Sequence, residues 1–271
     1  MTENFSIEEL RAKLHTTIIG KRILYYPSVG STNDVARSLA EAGAREGVVV
    51  LADEQRAGRG RRGRRWLAPA GTCLLFSLLL RPPLPPHQCQ RLTMACGLAL
   101  AESLESHTGL AMGLKWPNDL LVGDKKVGGI LTELVMKGER LEYAIVGLGL
   151  NVNLDFTPPE VAFLREQATS LARELGAPVA REPLLACILN RLEVHYLALC
   201  DGWSPHQAWA ARLVTLGQRV AVSGPGDELE GWAEGVDPDG GLLLRLKDGQ
   251  VVRVLAGDVS LRLCGRPAAA T

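Results

Sequence analysis

The pattern of secondary structure predicted for this chain changes once, near residues 214–217. Before that point, apolar strands alternate with long amphipathic helices. After it, only short β segments follow, separated by turn signals such as the Asp-Pro-Asp-Gly sequence at 237–240. Helices mixed with strands, followed by strands alone, are typical of an α+β chain whose last part forms a small barrel. We therefore predict two domains, residues 1–215 and 216–264, with residues 265–271 as a frayed tail.

Apolar periodicity and turn residues divide the chain further into elements. In the first domain, the predicted strands are residues 22–26, 47–53, 72–80, 111–116, 120–122, 127–136 and 143–152. The predicted helices are residues 34–42, 88–106 and 183–200, with another beginning after Ser204. In the second domain, the predicted strands are residues 219–222, 229–236, 242–246, 251–255 and 259–263. Residues 54–71 are predicted to be a loop, and the stretch after Pro158 to be irregular.

Charge and hydropathy exclude several classes of protein. The 30 basic and 30 acidic side chains balance, which argues against a generally basic nucleic-acid-binding protein. The longest apolar run, residues 74–80, is interrupted by Ser77 and is too short to span a bilayer. The first residues are polar and acidic, without the pattern of a signal peptide. We therefore expect a cytoplasmic protein with no membrane partner.

The cysteines and histidines give no sign of a disulfide framework or a metal site. The 6 cysteines are scattered and include no C-x-x-C pair. The 5 histidines form no H-E-x-x-H motif and no close pair. We expect reduced thiols and no fixed metal ligands on histidine or cysteine.

The sharpest anomaly in the chain is residues 56–65, in which arginines alternate with glycines. Such a cationic segment in a neutral chain favours an anionic partner. Glycine lets the backbone approach that partner closely, and arginine forms paired contacts with carboxylates and phosphates. From composition alone, a solvated or nucleic-acid-binding loop is an equally open interpretation. No G-K-[ST] follows, so this is not a Walker A loop. The arginines are Arg56, Arg59, Arg61, Arg62, Arg64 and Arg65.

Four shorter features could also belong to a site, although each has an ordinary structural explanation. Residues 115–119, Lys-Trp-Pro-Asn-Asp, place a point charge at a strand end, but are also a common turn sequence. Residues 31–33, Ser-Thr-Asn, are adequately explained as a helix N-cap. Trp66 is either an apolar anchor or a stacking wall. Glycine pairs inside strands, at 128–129 and at 147 and 149, indicate close approach of a ligand or of another backbone.

Together these stretches resemble one family, the biotin protein ligases (biotin–acetyl-CoA-carboxylase ligases). The resemblance covers about residues 15–264 and rests on five motifs in the family's order, with a Gly-Asp-Val-Ser-Leu-Arg sequence at 257–262 similar to the family's C-terminal domain. The motifs are Ser31-Thr32-Asn33, the Gln-Arg-Ala-Gly-Arg-Gly-Arg-Arg-Gly-Arg sequence at 55–64, Lys-Trp-Pro-Asn-Asp at 115–119, Lys-Val-Gly-Gly-Ile-Leu at 126–131 and Gly-Leu-Gly-Leu-Asn-Val-Asn at 147–153.

The resemblance implies a catalytic domain with a mixed sheet, related to class II aminoacyl-tRNA synthetases and lipoate ligases, and an SH3-like C-terminal barrel. It also implies two half-reactions. The carboxylate of biotin attacks the α-phosphate of ATP and gives biotinyl-5′-AMP, and a lysine of a biotin carboxyl carrier protein then takes the biotinyl group. Mg²⁺ accompanies ATP and is held mainly by phosphates and water.

By the same resemblance, Lys115 and Arg61 are expected to be catalytic. Asp119 is the one candidate for a metal contact. The expected biotin-binding residues are Ser31, Thr32, Asn33, Gln55, Arg59, Gly60, Arg61, Lys115, Gly128 and Gly129. The expected nucleotide-binding residues are Arg59, Arg61, Arg64, Trp66, Asn118 and Asn151.

Two alternative functions remain open at this point. A lipoate or octanoate ligase could use the same scaffold, although Thr32 and Gln55 favour the polar ureido ring of biotin. A non-catalytic protein could use residues 56–65, hereafter the Arg-Gly segment, to bind anions or RNA. Only about twenty residues precede the first core strand, so we expect no specific DNA partner. A homodimer is possible, and we expect residues 217–264 to serve transfer to the acceptor more than adenylation.

Overall fold

The computed structural model of the protein describes residues 5–223, 228–255 and 257–261. The helices are α1 (Ile7–Ala12), α2 (Thr32–Glu41), α3 (Gln90–Thr108), α4 (Pro159–Ala162), α5 (Leu171–Leu175), α6 (Arg181–Cys200) and α7 (His206–Arg212). The strands are β1 (Arg22–Val29), β2 (Val48–Gln55), β3 (Cys73–Leu80), β4 (Met112–Lys115), β5 (Asp119–Val122), β6 (Lys125–Lys137), β7 (Arg140–Asn151), β8 (Arg219–Ser223), β9 (Leu229–Val236), β10 (Leu242–Arg245), β11 (Val251–Val254) and β12 (Asp258–Leu261). Residues 262–264 and the predicted tail lie outside the described residues.

A seven-stranded mixed sheet forms the larger part of the fold, in the order β1-β2-β3-β7-β6-β5-β4. β1 and β2 are parallel, and all other neighbours are antiparallel. β3 lies in the interior of the sheet, between β2 and β7, and is buried at every position, as its apolar run predicts. The expected α+β class with a mixed sheet is confirmed.

Helices cover both faces of this sheet. On one face, α3 and α6 pack on the even-numbered residues of β3, such as Leu74 and Phe76. On the other face, Ala36 and Ala40 of α2 pack on Leu79. By length and composition alone, α6 could cross a membrane. Ten of its residues are nevertheless buried in the protein, so we interpret it as a core helix.

The second sheet is antiparallel and has the order β11-β10-β9-β8-β12. All five strands predicted after residue 216 are present where the structure describes them. The apolar side chains of this sheet join the core that also contains α3. The turn between β9 and β10 reaches the start of α3, where Arg91 Nη2 lies 3.0 Å from Asp239 Oδ1.

The structure differs from the predicted elements in several places, among them β1, the stretch after Pro158 and the predicted loop at 54–71. β1 continues through Pro27 to Val29. An edge strand tolerates proline because it has no second neighbouring strand to which the missing backbone N–H would donate. The stretch after Pro158 contains α4 and α5, whose lengths of 4 and 5 residues are too short for a periodic pattern. Within the predicted loop, Arg61–Gly63 forms a single 3₁₀ turn.

Candidate active site

A cavity of about 180 Å³ lies on the sheet face next to α2. Because β1 and β2 are parallel, the loops that follow them begin at the same edge of the sheet. This arrangement brings residues 31–33 and the Arg-Gly segment together. The β4–β5 turn and the glycines of β6 and β7 complete the wall. The predicted site residues that line the cavity are Ser31, Thr32, Asn33, Gln55, Arg59, Gly60, Arg61, Arg64, Trp66, Lys115, Asn118, Asp119 and Gly129.

Two predicted site residues do not line this cavity, Gly128 and Asn151. Successive residues of a strand face opposite sides of the sheet, so Gly129 and Gly128 cannot both face the cavity. A Cβ atom on Gly128 would instead lie 3.1 Å from the carbonyl oxygen of Gly149. Asn151 is buried, and its Nδ2 donates a 3.0 Å hydrogen bond to the carbonyl of Thr169. Its amide therefore fixes the segment before α5.

Residues of α2 and β2 form a polar cradle at one end of the cavity. The Oε1 atom of Gln55 accepts hydrogen bonds from the backbone N–H of Thr32 at 2.7 Å and from its hydroxyl at 3.0 Å. The side chain of Gln55 is thereby oriented. Since an amide has both a carbonyl and an NH₂ group, its Nε2 donor is left for a ligand.

Ser77 supports this cradle from below, and sequence reasoning missed it. Its side chain is fully buried, with Oγ 2.7 Å from Thr32 Oγ1 and 2.6 Å from Asn33 Oδ1. One hydroxyl hydrogen can serve only one of these acceptors at a time. The available signal was a lone polar residue in an otherwise apolar, fully buried strand.

Asn33 is fixed on its other side by Glu133 of β6. Asn33 Nδ2 donates a 2.9 Å hydrogen bond to Glu133 Oε2, and Arg37 forms an ion pair with the same carboxylate oxygen at 3.3 Å. A Cβ atom on Gly147 would lie only 2.3 Å from Asn33 Oδ1. The glycine inside β7 is therefore required to leave room for this amide.

Trp66 forms the opposite wall, packed over the second glycine of β7. A Cβ atom on Gly149 would lie 2.6 Å from the Cε2 atom of the indole. The indole Nε1 is buried and has no hydrogen-bond partner among the described residues. Lys126, which sequence reasoning also missed as a site residue, places Nζ 5.4 Å from the centre of the Trp66 ring and 2.6 Å from Asp119 Oδ1.

The Arg-Gly segment is held by side-chain contacts with α2 and with the second sheet. Arg59 forms two hydrogen bonds with the carboxylate of Asp34, at 2.9 and 2.5 Å, which hold the pKa of Asp34 below its usual value. Arg61 donates to the carbonyl of Gly257 at 3.0 Å, and Arg62 donates to that of Ser223 at 2.9 Å. The second sheet therefore contacts the segment directly.

Positive charge dominates the cavity. Among the described residues that line it, Asp119 is the one carboxylate, and it is paired with Lys126 rather than with Lys115, its neighbour across the β4–β5 hairpin. Lys115 has no carboxylate within 4.0 Å among the described side chains. Six cations face the cavity, namely Arg59, Arg61, Arg64, Arg65, Lys115 and Lys126. A polar cradle beside such a cationic wall defines a site for ligands that carry carboxylate or phosphate groups.

The donors present suit a metal ion that is held mainly by phosphate oxygens and water and not by protein side chains. The described residues include no group of three or more histidine, cysteine, aspartate or glutamate side chains able to hold a metal. Asp119 alone could contribute a carboxylate oxygen. Mg²⁺ bound mainly by phosphate oxygens and water fits this arrangement.

Comparison with known families assigns both parts of the chain. Residues 25–151 match the Biotin/lipoate A/B protein ligase family, and residues 215–262 match the Biotin protein ligase C terminal domain. The Bifunctional ligase/repressor BirA of Bacillus spizizenii is 34% identical over 260 residues, which cover 94% of this chain and 79% of that protein. The Biotin–[acetyl-CoA-carboxylase] ligase of Mycobacterium tuberculosis is 37% identical over 239 residues, which cover 85% of each chain.

A solved structure agrees with these matches. The biotin protein ligase from Aquifex aeolicus, in complex with biotin and ATP, has a TM-score of 0.74 and 31% identity, covering 89% of this chain and 99% of its own. The fold and the cationic cavity define an enzyme that joins anionic substrates. The chain belongs to the biotin protein ligase family.

Proposed function

We propose that this cavity binds biotin and ATP together and that its residues carry out both half-reactions of protein biotinylation. The chain is a biotin–[acetyl-CoA-carboxylase] ligase by its family and relatives. The observation that carries the residue assignments is the juxtaposition, in one cavity, of the Thr32–Gln55 cradle and the cations around Lys115.

The cradle is proposed to bind the ureido ring of biotin. That ring presents two N–H donors and one carbonyl acceptor. The hydroxyl of Ser31 can accept or donate. The hydroxyl of Thr32 donates its hydrogen to Gln55 and can accept from a ligand, and the Nε2 of Gln55 is a donor that its intramolecular bonds leave available. A ligand without the ureido group leaves these buried polar atoms unpaired, which costs affinity.

The cations are proposed to stabilise the charge that develops during adenylation. The biotin carboxylate and the α-phosphate of ATP repel each other, so their approach needs positive charge at the point of contact. Lys115, with no carboxylate partner among the described residues, is placed for this role, and Arg61 lines the same cavity. Pyrophosphate leaves as the P–O bond to it breaks, and biotinyl-5′-AMP remains.

In the second half-reaction, an acceptor lysine attacks the biotinyl carbonyl, and AMP leaves with the electrons of the broken C–O bond. The acceptor amine must lose a proton to become a nucleophile.

We infer that the acceptor is a biotin carboxyl carrier domain, as the family implies. We also infer a cytoplasmic location, which suits the five free cysteines among the described residues. The homodimer stays a prediction that light scattering tests.

Pyrophosphate release measured with biotin, lipoate or octanoate, each with ATP and Mg²⁺, tests the proposal. We expect pyrophosphate release with biotin and none with lipoate or octanoate. Replacing Thr32 with Val, which keeps the shape but removes the hydroxyl, should raise KM for biotin by about tenfold. The matched control is Thr17→Val, far from the cavity. Release with lipoate or octanoate but not biotin would overturn the substrate assignment.

A further inference from the structure

Trp116, the residue after Lys115, is anchored by the part of the chain that forms the second sheet. Its side chain is 1% exposed, and its indole Nε1 donates a 2.9 Å hydrogen bond to the carbonyl of Gly240, in the β9–β10 turn. Its backbone N–H donates at 3.0 Å to the hydroxyl of Thr215, which is fully buried. Trp116 is thus held from two directions.

The β9–β10 turn is itself fixed against the first domain. The carboxylate of Asp237 accepts the backbone N–H groups of Asp239 and Gly241 at 2.8 and 3.0 Å. Gly240 has a φ of +89°, and a Cβ atom there would lie 2.7 Å from the Cγ atom of Gln90. Asp239 also accepts from Arg91 at the start of α3. The carbonyl of Gly240 therefore has a defined position relative to the catalytic sheet.

We propose that the β9–β10 turn is a positioning element for adenylation, and that it acts on Lys115 through the hydrogen bond between Trp116 and Gly240. This inference rests on the proposed function. Trp116 directly follows Lys115, the last residue of β4, and both residues line the cavity. The two hydrogen bonds that hold the indole and the backbone N–H of Trp116 therefore also fix the backbone from which the Lys115 side chain extends. A fixed Trp116 thereby limits where the ammonium group can lie.

This role differs from the one expected for residues 217–264 from sequence, which was transfer to the acceptor. Besides α3 and α7, the second sheet contacts the β4–β5 turn and the Arg-Gly segment, both of which line the cavity. A displacement of about 1 Å in a charge-stabilising group costs a large factor in rate, so a remote anchor can affect the chemical step. The geometry points to the first half-reaction.

The test combines Trp116→Phe with Lys115→Ala. Phenylalanine keeps the ring in the core but removes the donor to Gly240. We expect Trp116→Phe alone to lower kcat for biotinyl-AMP formation by about tenfold, with KM for biotin changed less than about twofold. In the Lys115→Ala background, the same substitution should cause no further loss. A purely structural role would cause the same loss in both backgrounds.

Asp239→Asn is the second variant, because it loosens the turn through Arg91 without altering a fully buried group. It should also slow adenylation in a way that disappears with Lys115→Ala. The control is Trp232→Phe, a half-exposed tryptophan of the same sheet, which should keep wild-type rates. Unchanged adenylation in folded variants, or a loss that persists without Lys115, would overturn the proposal. Absence of biotin-dependent ATP turnover in the wild type would instead refute the proposed function.

Discussion

Lys115 is the residue on which the proposed chemistry depends most directly. Replacing it with alanine should lower the rate of adenylate formation by roughly 10²–10³-fold, because a preorganised cation is lost where charge develops. Biotin-dependent ATP–pyrophosphate exchange measures this rate. Lys137→Ala, at the far end of β6, is the matched control and should change nothing. A Lys115→Ala enzyme with near-normal exchange would move the catalytic role to another cation of the cavity.

Ser77 provides a second test at the scale of single residues. Ser77→Ala removes the hydroxyl that bonds Thr32 and Asn33, at a cost of roughly 0.5–1.5 kcal/mol, which corresponds to a rise of up to about tenfold in KM for biotin. The rate at saturating biotin should change little. Ser103→Ala is the control, since that buried hydroxyl bonds the carbonyl of Ala99 within α3. Equal effects of the two substitutions on KM would argue against a supporting role for Ser77.

These two residues also show how far residue-level prediction reaches. Lys115 belongs to a contiguous motif, and such motifs locate most of the cavity wall in advance. Ser77 and Glu133 become visible only in the folded chain, because their partners on α2 are distant in sequence. Lys126 begins the 126–131 motif, but only the fold shows its contact with Trp66. Asn151 lies within a motif and is predicted to bind the nucleotide, whereas in the structure its amide donates to the carbonyl of Thr169.

Among the elements, the Arg-Gly segment is predicted to change with ligand. The contacts of Arg59 with Asp34 and of Arg62 with Ser223 are exposed, so they hold the segment only weakly. Closure over the adenylate would add charged hydrogen bonds worth roughly 1.5–3 kcal/mol each. The free energy of these hydrogen bonds offsets much of the entropic cost of ordering a short loop. Trypsin should cut between Arg56 and Arg65 in the free enzyme, and biotin with ATP should protect these bonds. Cleavage that saturating ligands leave unchanged would show a static surface segment.

The segment before β1 depends on a single carboxylate of α6. Glu193 accepts the backbone N–H groups of Thr17, Ile18 and Ile19. Burial opposes ionisation, but these N–H groups outweigh it and lower the pKa of Glu193 below its usual 4.5. A lowered folded-state pKa means that the stabilisation is present above about pH 4.5 and is lost as the pH falls through the folded-state value.

Glu193→Gln should therefore destabilise the protein at pH 7 by roughly 1.5–3 kcal/mol, the value of hydrogen bonds to a charged group. The difference from wild type should shrink as the pH falls from about 4.5 through the lower folded-state pKa of Glu193, where its carboxyl takes up a proton and becomes neutral like the glutamine amide. Urea denaturation at a series of pH values measures it. Glu41→Gln, exposed at the end of α2, is the control. A difference that is constant down to pH 3 would show that ionisation of Glu193 contributes nothing.

Prediction of elements succeeds where one physical signal dominates. β3 is a continuous apolar run, and its burial on both faces follows from that. The α4 and α5 helices escape prediction because a single turn carries no period. The sequence predicts that β1 ends before Pro27, because proline is unfavourable inside a sheet. The structure places β1 at the sheet edge, where proline is acceptable.

At the scale of the molecule, the two predicted domains share one core. Val220 and Leu242 of the second sheet belong to the same buried cluster as Met94 of α3 and Trp116. The change of pattern near residue 216 locates the second sheet correctly but carries no information about what that sheet covers. Sheet order and the packing of one sheet on α3 depend on contacts between residues that are far apart in the chain.

A shared core predicts that the catalytic part cannot be isolated. Ending the chain after Gly217 removes the second sheet from α3 and exposes Met94 and Trp116, both now nearly inaccessible. Each large apolar side chain that returns to water costs about 1.5–3 kcal/mol, against a net stability of about 5–15 kcal/mol for a typical protein. The truncated chain should lose its cooperative thermal transition, seen by circular dichroism. It should lose adenylation and transfer together, whereas Trp232→Ala, on the exposed face of the same sheet, should keep both. A folded truncation that still forms biotinyl-AMP at the wild-type rate would contradict both the shared core and the positioning of Lys115 by the β9–β10 turn.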